Sequence, residues 1–422
     1  MAMFRRSLLV IAGMLVLMSG TGFGQKPDAV ELSVAVLNDP MMPGMEAAQT
    51  TVMLEEARTM LLRKFGIRNL WFVNQGVIPV DVFFRTWLKK DSEDYKTAAA
   101  GRYIPYTTMD WKPYESSIMS FLRQWKVWDL AEFFPEKKQD LKTYEQIVPE
   151  LMGVYESRLK ALEAMNLSDG RSLIRKPPAD SQSYVCWNLA MREQDRFDVV
   201  VCNSFIIYDD FRKPYPHAVT RFAKVGGSSF DSPKRPDFGG VSAMVNLFEM
   251  LTDIPAFQSK KSDHVLTPEE RARIVGGYIL AHELGHMIYL IPDVYNHDKG
   301  CLMDSSAESM DYYEGYQDLL KYSQPCSVCQ AWVTARNSHF DGDRKFRAGD
   351  FAGAAEDYRV CVKTTPHDLD TDYNRYISLV GVKAARAYLK AGDRQKAKFY
   401  AEKAAADDPS NPDAAALILE LK

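Results

Sequence analysis

The stretch His282-Glu283-Leu284-Gly285-His286 sets two imidazoles four residues apart with a carboxylate beside the first. On a helix that spacing puts both rings on one face, where they can grip a single metal ion. Glu283, one position round, can then reach a water on that metal. Zinc suits such a donor pair. It brings the pKa of its water toward neutrality, so Glu283 can take the proton as the oxygen attacks a carbonyl whose developing charge the metal stabilises. A third ligand has to come from farther down the chain.

The elements that must carry this motif can be read around it. Thr267-Pro268-Glu269-Glu270 is a helix start, with Thr as N-cap, Pro at the first helical position and Glu completing a capping box. It predicts a helix over 268–291, ended by Pro292. Upstream, a strand at 31–38, a helix at 46–65 stopped by Gly66 and a strand at 69–73 form a βαβ-like opening. Sheet character returns at 184–190, 197–208, 222–230 and 240–248, and the Gly pairs 226–227 and 239–240 mark turns or bulges. Between these groups, residues 79–180 read as a mostly helical insertion, with helices near 113–132 and 140–165. The fold class expected is α+β, a mixed sheet with a helix bearing the site.

From about 335 the pattern changes. Residues 347–366 and 390–409 align, with Gly349 on Gly392, Ala354 on Ala397 and Pro366 on Pro409. Small residues at helix crossings and a closing Pro resemble tetratricopeptide repeats, although the offset of 43 residues exceeds the usual repeat of about 34. Residues 335–422 are therefore expected to form a C-terminal α-helical repeat module ending in a helix at 412–421. It could pack against the catalytic domain, or offer a surface to a protein partner.

The first 24 residues read as a secretory signal peptide: a basic Arg5-Arg6, an apolar run from Leu8 to Met18, then small residues before Gln25. Residues 25–334 would then be the zinc domain of an exported protein, periplasmic or extracellular, with no membrane span in its mature form. The formal net charge of −4 and the lack of a long Lys/Arg run argue against nucleic acid as a partner. Export also makes disulfides admissible. Cys186 and Cys202 flank an expected hairpin and are the pair expected to bond. Cys361, alone among the C-terminal helices, reads as a small core residue.

The region 282–329 resembles the metzincin clan of zinc peptidases, and within it the archaemetzincins. Those enzymes join HExxHxxGxxH to a Cys-x-Met turn under the metal and a later Cys-x-x-Cys. This chain has HELGH, Cys301-Leu302-Met303 and Cys326-Ser327-Val328-Cys329. By that likeness Met303 is the Met-turn residue. The chain departs from the pattern where Tyr289 replaces the family's Gly and Pro292 its third His, so the helix is expected to run about one turn longer. Asp293 is the preferred third ligand, since it needs the smaller length changes and IPDVYNHD is similar to an LPDxYD segment of some bacterial metallopeptidases in which Asp takes that place. His297 would then join Cys301, Cys326 and Cys329 in a second, structural zinc site of the Cys₃His kind. His297 as catalytic ligand stands as the alternative, with Glu308 or Glu314 behind it. The cysteines have a plainer reading too, with Cys326 and Cys329 joined as a disulfide.

The function these features imply is an exported zinc metalloendopeptidase, with Glu283 as general base and one catalytic zinc beside a second structural one. Its substrate would be a peptide or protein pairing with an edge strand near 241–248. Two other functions remain open: a non-catalytic zinc scaffold that recruits a partner through the repeats, and a zinc hydrolase of a non-peptide amide.

Overall fold

The structure, a computed structural model, describes residues 30–96, 136–175, 179–207, 227–231, 241–252, 265–292, 297–298, 300–304, 312–366 and 371–422, with isolated positions between 115 and 134 and at 254. The signal-peptide reading, Asp293 and Glu308 lie outside the described residues, as does half of the expected helix 113–132, of which residues 115, 119, 122 and 127–131 are helical.

A five-stranded mixed sheet positions the site. Strands β1 (Val30–Asn38), β2 (Leu70–Pro79), β3 (Val199–Cys202), β4 (Gly227–Asp231) and β5 (Val241–Asn246) stand in the order β2-β1-β3-β5-β4. All neighbours are parallel except β4, which runs antiparallel to β5 at the edge. The sequence explains the placing. β3 is Val-Val-Val-Cys, buried throughout, as a central parallel strand covered on both faces must be. The period of two sorts its residues: Val199 and Val201 enter one core with Leu32, Val34, Ala243 and Val245, while Val200 and Cys202 enter another with Ala35, Leu37 and Met244.

The first core is closed by helix α1 (Ala47–Phe65), which ends at Gly66 in the left-handed region as its sequence predicts. The second is closed by α2 (Val80–Trp87) and by residues 184–193, where Trp187 stacks on Phe83. Here the expectation of a strand at 184–190 fails: Tyr184–Glu193 is a helix, called α4 below. Its run Tyr-Val-Cys-Trp-Asn-Leu-Ala-Met fits either period, and what decides is that Cys186, Trp187, Ala190 and Met191 face the sheet at helical spacing. The hairpin that was to join Cys186 and Cys202 is therefore absent, and the two thiols are buried without a disulfide between them. Burial pushes the Cys202 thiol up to about 12, so it stays protonated. The insertion adds a core of its own, in which helix α3 (Tyr144–Glu163) supplies Ile147, Val148, Leu151 and Leu162 against Phe205, Ile207 and Phe248.

The motif helix runs from Pro268–Arg271 through a π-helical turn, Ala272–Gly276, into Gly277–Tyr289, and is called α5. Its capping box forms, with Glu270 N–H donating to the Thr267 hydroxyl and Thr267 N–H to the Glu270 carboxylate. The helix does not gain the extra turn expected of it. Leu290 takes the left-handed conformation (φ 56°) that the sequence seemed to deny for want of a Gly, and the chain turns before Pro292. Buried packing of Tyr289, Leu290 and Ile291 holds Leu290 there.

After α6 (Tyr312–Lys321) come α7 (Ser327–Arg347), α8 (Phe351–Thr364), α9 (Thr371–Lys390), α10 (Arg394–Asp407) and α11 (Pro412–Glu420). The aligned segments are structurally equivalent. Gly349 and Gly392 both have positive φ, Asp350 and Asp393 both cap the next helix, and Ala354 and Ala397 are both fully buried. The expected boundary between 334 and 335 falls inside α7. No described helix is long and apolar enough to cross a membrane.

Candidate metal centres

His282 and His286 leave the same face of α5, and each ring is turned by a backbone carbonyl. His282 Nδ1 lies 2.9 Å from Leu302 O, and His286 Nδ1 bonds to Ile291 O. A carbonyl only accepts, so in the neutral rings Nδ1 carries the hydrogen and Nε2 the lone pair. The two Nε2 atoms are 3.1 Å apart. Two lone pairs facing at that distance repel unless a proton or a metal cation is shared between them, which makes the pair a candidate metal site.

Glu283 is 6% exposed and stands against the edge strand. Beneath the helix, the segment 301–304 crosses its face. Leu302 supplies the carbonyl to His282, Asp304 O accepts from Tyr278 Oη at 3.2 Å, and Met303 is wholly buried under Gly285. A Cβ on Gly285 would come 2.2 Å from Met303 Sδ, so the glycine is what lets the Met303 side chain lie this close against the helix.

A second cluster lies beside the first. His297, Cys301, Cys326 and Cys329 present ligand atoms all within 4.8 Å of one another and could hold a metal ion. His297 Nδ1 lies 3.2 Å from Cys326 Sγ, 3.5 Å from Cys301 Sγ and 3.4 Å from Cys329 Sγ, and Cys301 Sγ lies 3.7 Å from Cys329 Sγ. None of the three is in a disulfide, which removes the plainer reading of Cys326 and Cys329. Helix α7 brings two of the thiols, Cys326 as its N-cap and Cys329 in its first turn, and burial pushes the Cys326 thiol up. Asp298 ties the loop to that turn, accepting from Ser327 N and Oγ. Cys301 is pulled toward the thiolate by the Cys329 thiol, with His297 and the Met303 N–H assisting, whereas that same bond and burial push Cys329 up.

His297 therefore belongs with the three cysteines and not with His282 and His286, and Glu314 sits in the first turn of α6. Lys64 was missed in the sequence: it donates to the carbonyls of Gly300 and Tyr322 and supplies positive charge next to the thiols. Burial brings its pKa down to about 8. It falls on the buried stripe Met53, Ala57, Met60 and Leu61 of α1, and a lysine on an apolar stripe was the signal available. Arg336 of α7 was missed as well. It is fully buried, donates from Nε to Ile288 O at 2.6 Å, and its guanidinium faces the rings of Phe340 and Tyr376. Tyr289 donates its hydroxyl to Phe65 O and Asn337 Oδ1. The end of α5 is thus sewn to α1 and α7.

No protein-family model, no curated protein and no solved structure matches this chain.

Proposed function

We propose that this chain is a zinc metallopeptidase of metzincin type, exported by its N-terminal segment. The observation that carries the reading is the pair of Nε2 atoms at 3.1 Å, both rings fixed through Nδ1 by main-chain carbonyls, with a buried carboxylate on the next residue. Tetrahedral zinc with nitrogen at about 2.0–2.1 Å separates its nitrogens by about 3.4 Å, close to what the rings offer. Asp293 is proposed as the third ligand, because His297 is engaged by the cysteines.

The same arithmetic supports zinc in the second cluster. Bonds of about 2.3 Å to sulfur imply S–S edges of about 3.8 Å and N–S edges of about 3.5 Å. The distances found are 3.7 Å and 3.2–3.5 Å. We read this cluster as structural, since four protein donors leave no position for substrate.

Zinc between the histidines would supply a Lewis acid that acidifies a water and polarises the scissile carbonyl. Glu283 accepts the proton of the attacking water and returns it to the leaving nitrogen. The substrate main chain lies along β4, the edge strand on the side of Glu283, and not along 241–248 as expected, because β5 is interior and paired on both sides. The helix pairs that follow α6 are proposed to be tetratricopeptide-like, with any protein partner met there.

The test is digestion of a diverse peptide library by the mature protein and by Glu283→Ala. Cuts made only by the former support the reading. No cuts by either, with zinc bound to both, would replace it with a zinc scaffold that binds a partner.

A further inference from the structure

We propose that Gly227 is a positioning residue of the catalytic centre: the side chain it lacks is the slot in which the Glu283 carboxylate stands against the edge strand. The inference rests on the peptidase reading for its kinetic consequence, while its geometry is independent of that reading.

Gly227 opens β4, paired with Val245 of β5. Glycine serves a strand either through a backbone conformation other residues avoid or through close approach of something to the main chain. The first does not apply, since Gly227 is absent from the glycines with positive φ. The second does. A Cβ built on Gly227 would lie 2.4 Å from Glu283 Oε1, 2.5 Å from its Cγ and 2.6 Å from its Cδ, distances no real Cβ adopts. The three nearest atoms all belong to this one side chain. Glu283 therefore stands flush on the main chain of the strand proposed to receive substrate.

Which partner gives way when the slot is filled follows from what holds each. The strand is fixed on its inner side by five paired residues of β5, and its next residue, Ser228, is tied through Oγ to the Tyr184 hydroxyl of α4 at 2.8 Å. The crowded atoms of Glu283 are the far part of a flexible side chain, which moves at small cost. Gly227→Ala should thus displace the base while leaving the strand, the helix and both metal centres in place. A general base out of reach of its proton costs rate and not substrate affinity.

The experiment compares the wild type, Gly227→Ala, Glu283→Ala and the double variant for zinc content, far-UV circular dichroism, kcat, KM and the pH titration of the visible spectrum of the cobalt(II) form. Gly227→Ala is expected to keep its metal and its dichroism and to lose about tenfold or more in kcat with little change in KM. Its cobalt titration should shift toward that of Glu283→Ala, and adding Gly227→Ala to Glu283→Ala should change nothing further. Wild-type kcat and an unshifted titration in Gly227→Ala would overturn the proposal, as would loss of metal or fold. Should the wild type cleave no peptide, the peptidase reading falls, and the cobalt titrations still decide whether Gly227 positions Glu283.

Discussion

Lowering the pH from about 7.5 to about 5.5 should cost the folded state on the order of 1 kcal/mol through His339 alone. The ring is 1% exposed and lies between α7 and α9. Arg336 Nη1 is 2.9 Å from Nδ1 and Lys383 Nζ is 2.8 Å from Nε2, so burial first, then Lys383 and Arg336, hold its pKa well below 6.5. The Tyr376 hydroxyl reaches Nδ1, and the Asp343 carboxylate, 3.6 Å from Nε2, is already bound by Lys383 and by the Tyr358 hydroxyl. The sign follows. Below 6.5 the unfolded chain takes up a proton that the folded chain refuses, so stability is intact above that pH and lost beneath it at about 1.4 kcal/mol per unit. Urea unfolding of the wild type and His339→Gln at both pH values isolates the contribution, because the other histidines cancel in the difference. The wild type should lose on the order of 1 kcal/mol more than the variant, and equal losses would refute the reasoning.

Two further outcomes follow from the packing and the donor sets. Met303→Ala should destabilise by about 2–5 kcal/mol in denaturant unfolding, since it opens a cavity beneath Gly285, whereas Met303→Leu should cost less than about 1.5 kcal/mol. Cys329→Ser and His297→Ala should each lower the metal content by about one equivalent, read by elemental analysis, and leave the metal proposed at His282 and His286. Loss of that proposed metal in His297→Ala but not in Cys329→Ser would assign His297 to it in place of the proposed Asp293.

The local signals were legible where one chemical cause acts alone. Thr267 and Glu270 announce their capping box, Gly66 its helix end, and Gly349 and Gly392 the matched turns of the helix pairs. The grouping of His297 with three cysteines could be read because four such donors in 33 residues are rare for any other purpose. Nonlocal packing hid the rest. Nothing in Tyr184–Glu193 distinguishes a helix on the sheet from a strand within it, so the Cys186–Cys202 pairing went with the wrong choice. Leu290 adopts a glycine's conformation because buried neighbours hold it, and Gly227 reads as a turn signal until Glu283 is seen against it. The sheet edge was misassigned for the same reason, since strand order is set by contacts far apart in sequence.

Helix α7 reaches the cysteine cluster with two thiols at its start and the end of α5 with Arg336 in its middle, and this fixes the order in which the molecule can be finished. Synthesis delivers the histidines of α5 first. The guanidinium that holds Ile288 O follows it by 48 residues, and the thiols of Cys326 and Cys329 follow His297 by 29 and 32. A chain halted short of Cys326 carries the motif without the parts that hold its surroundings. If the protein hydrolyses peptides, its competence is deferred until the C-terminal helices exist, and the growing chain is spared an unfinished hydrolase at its own side.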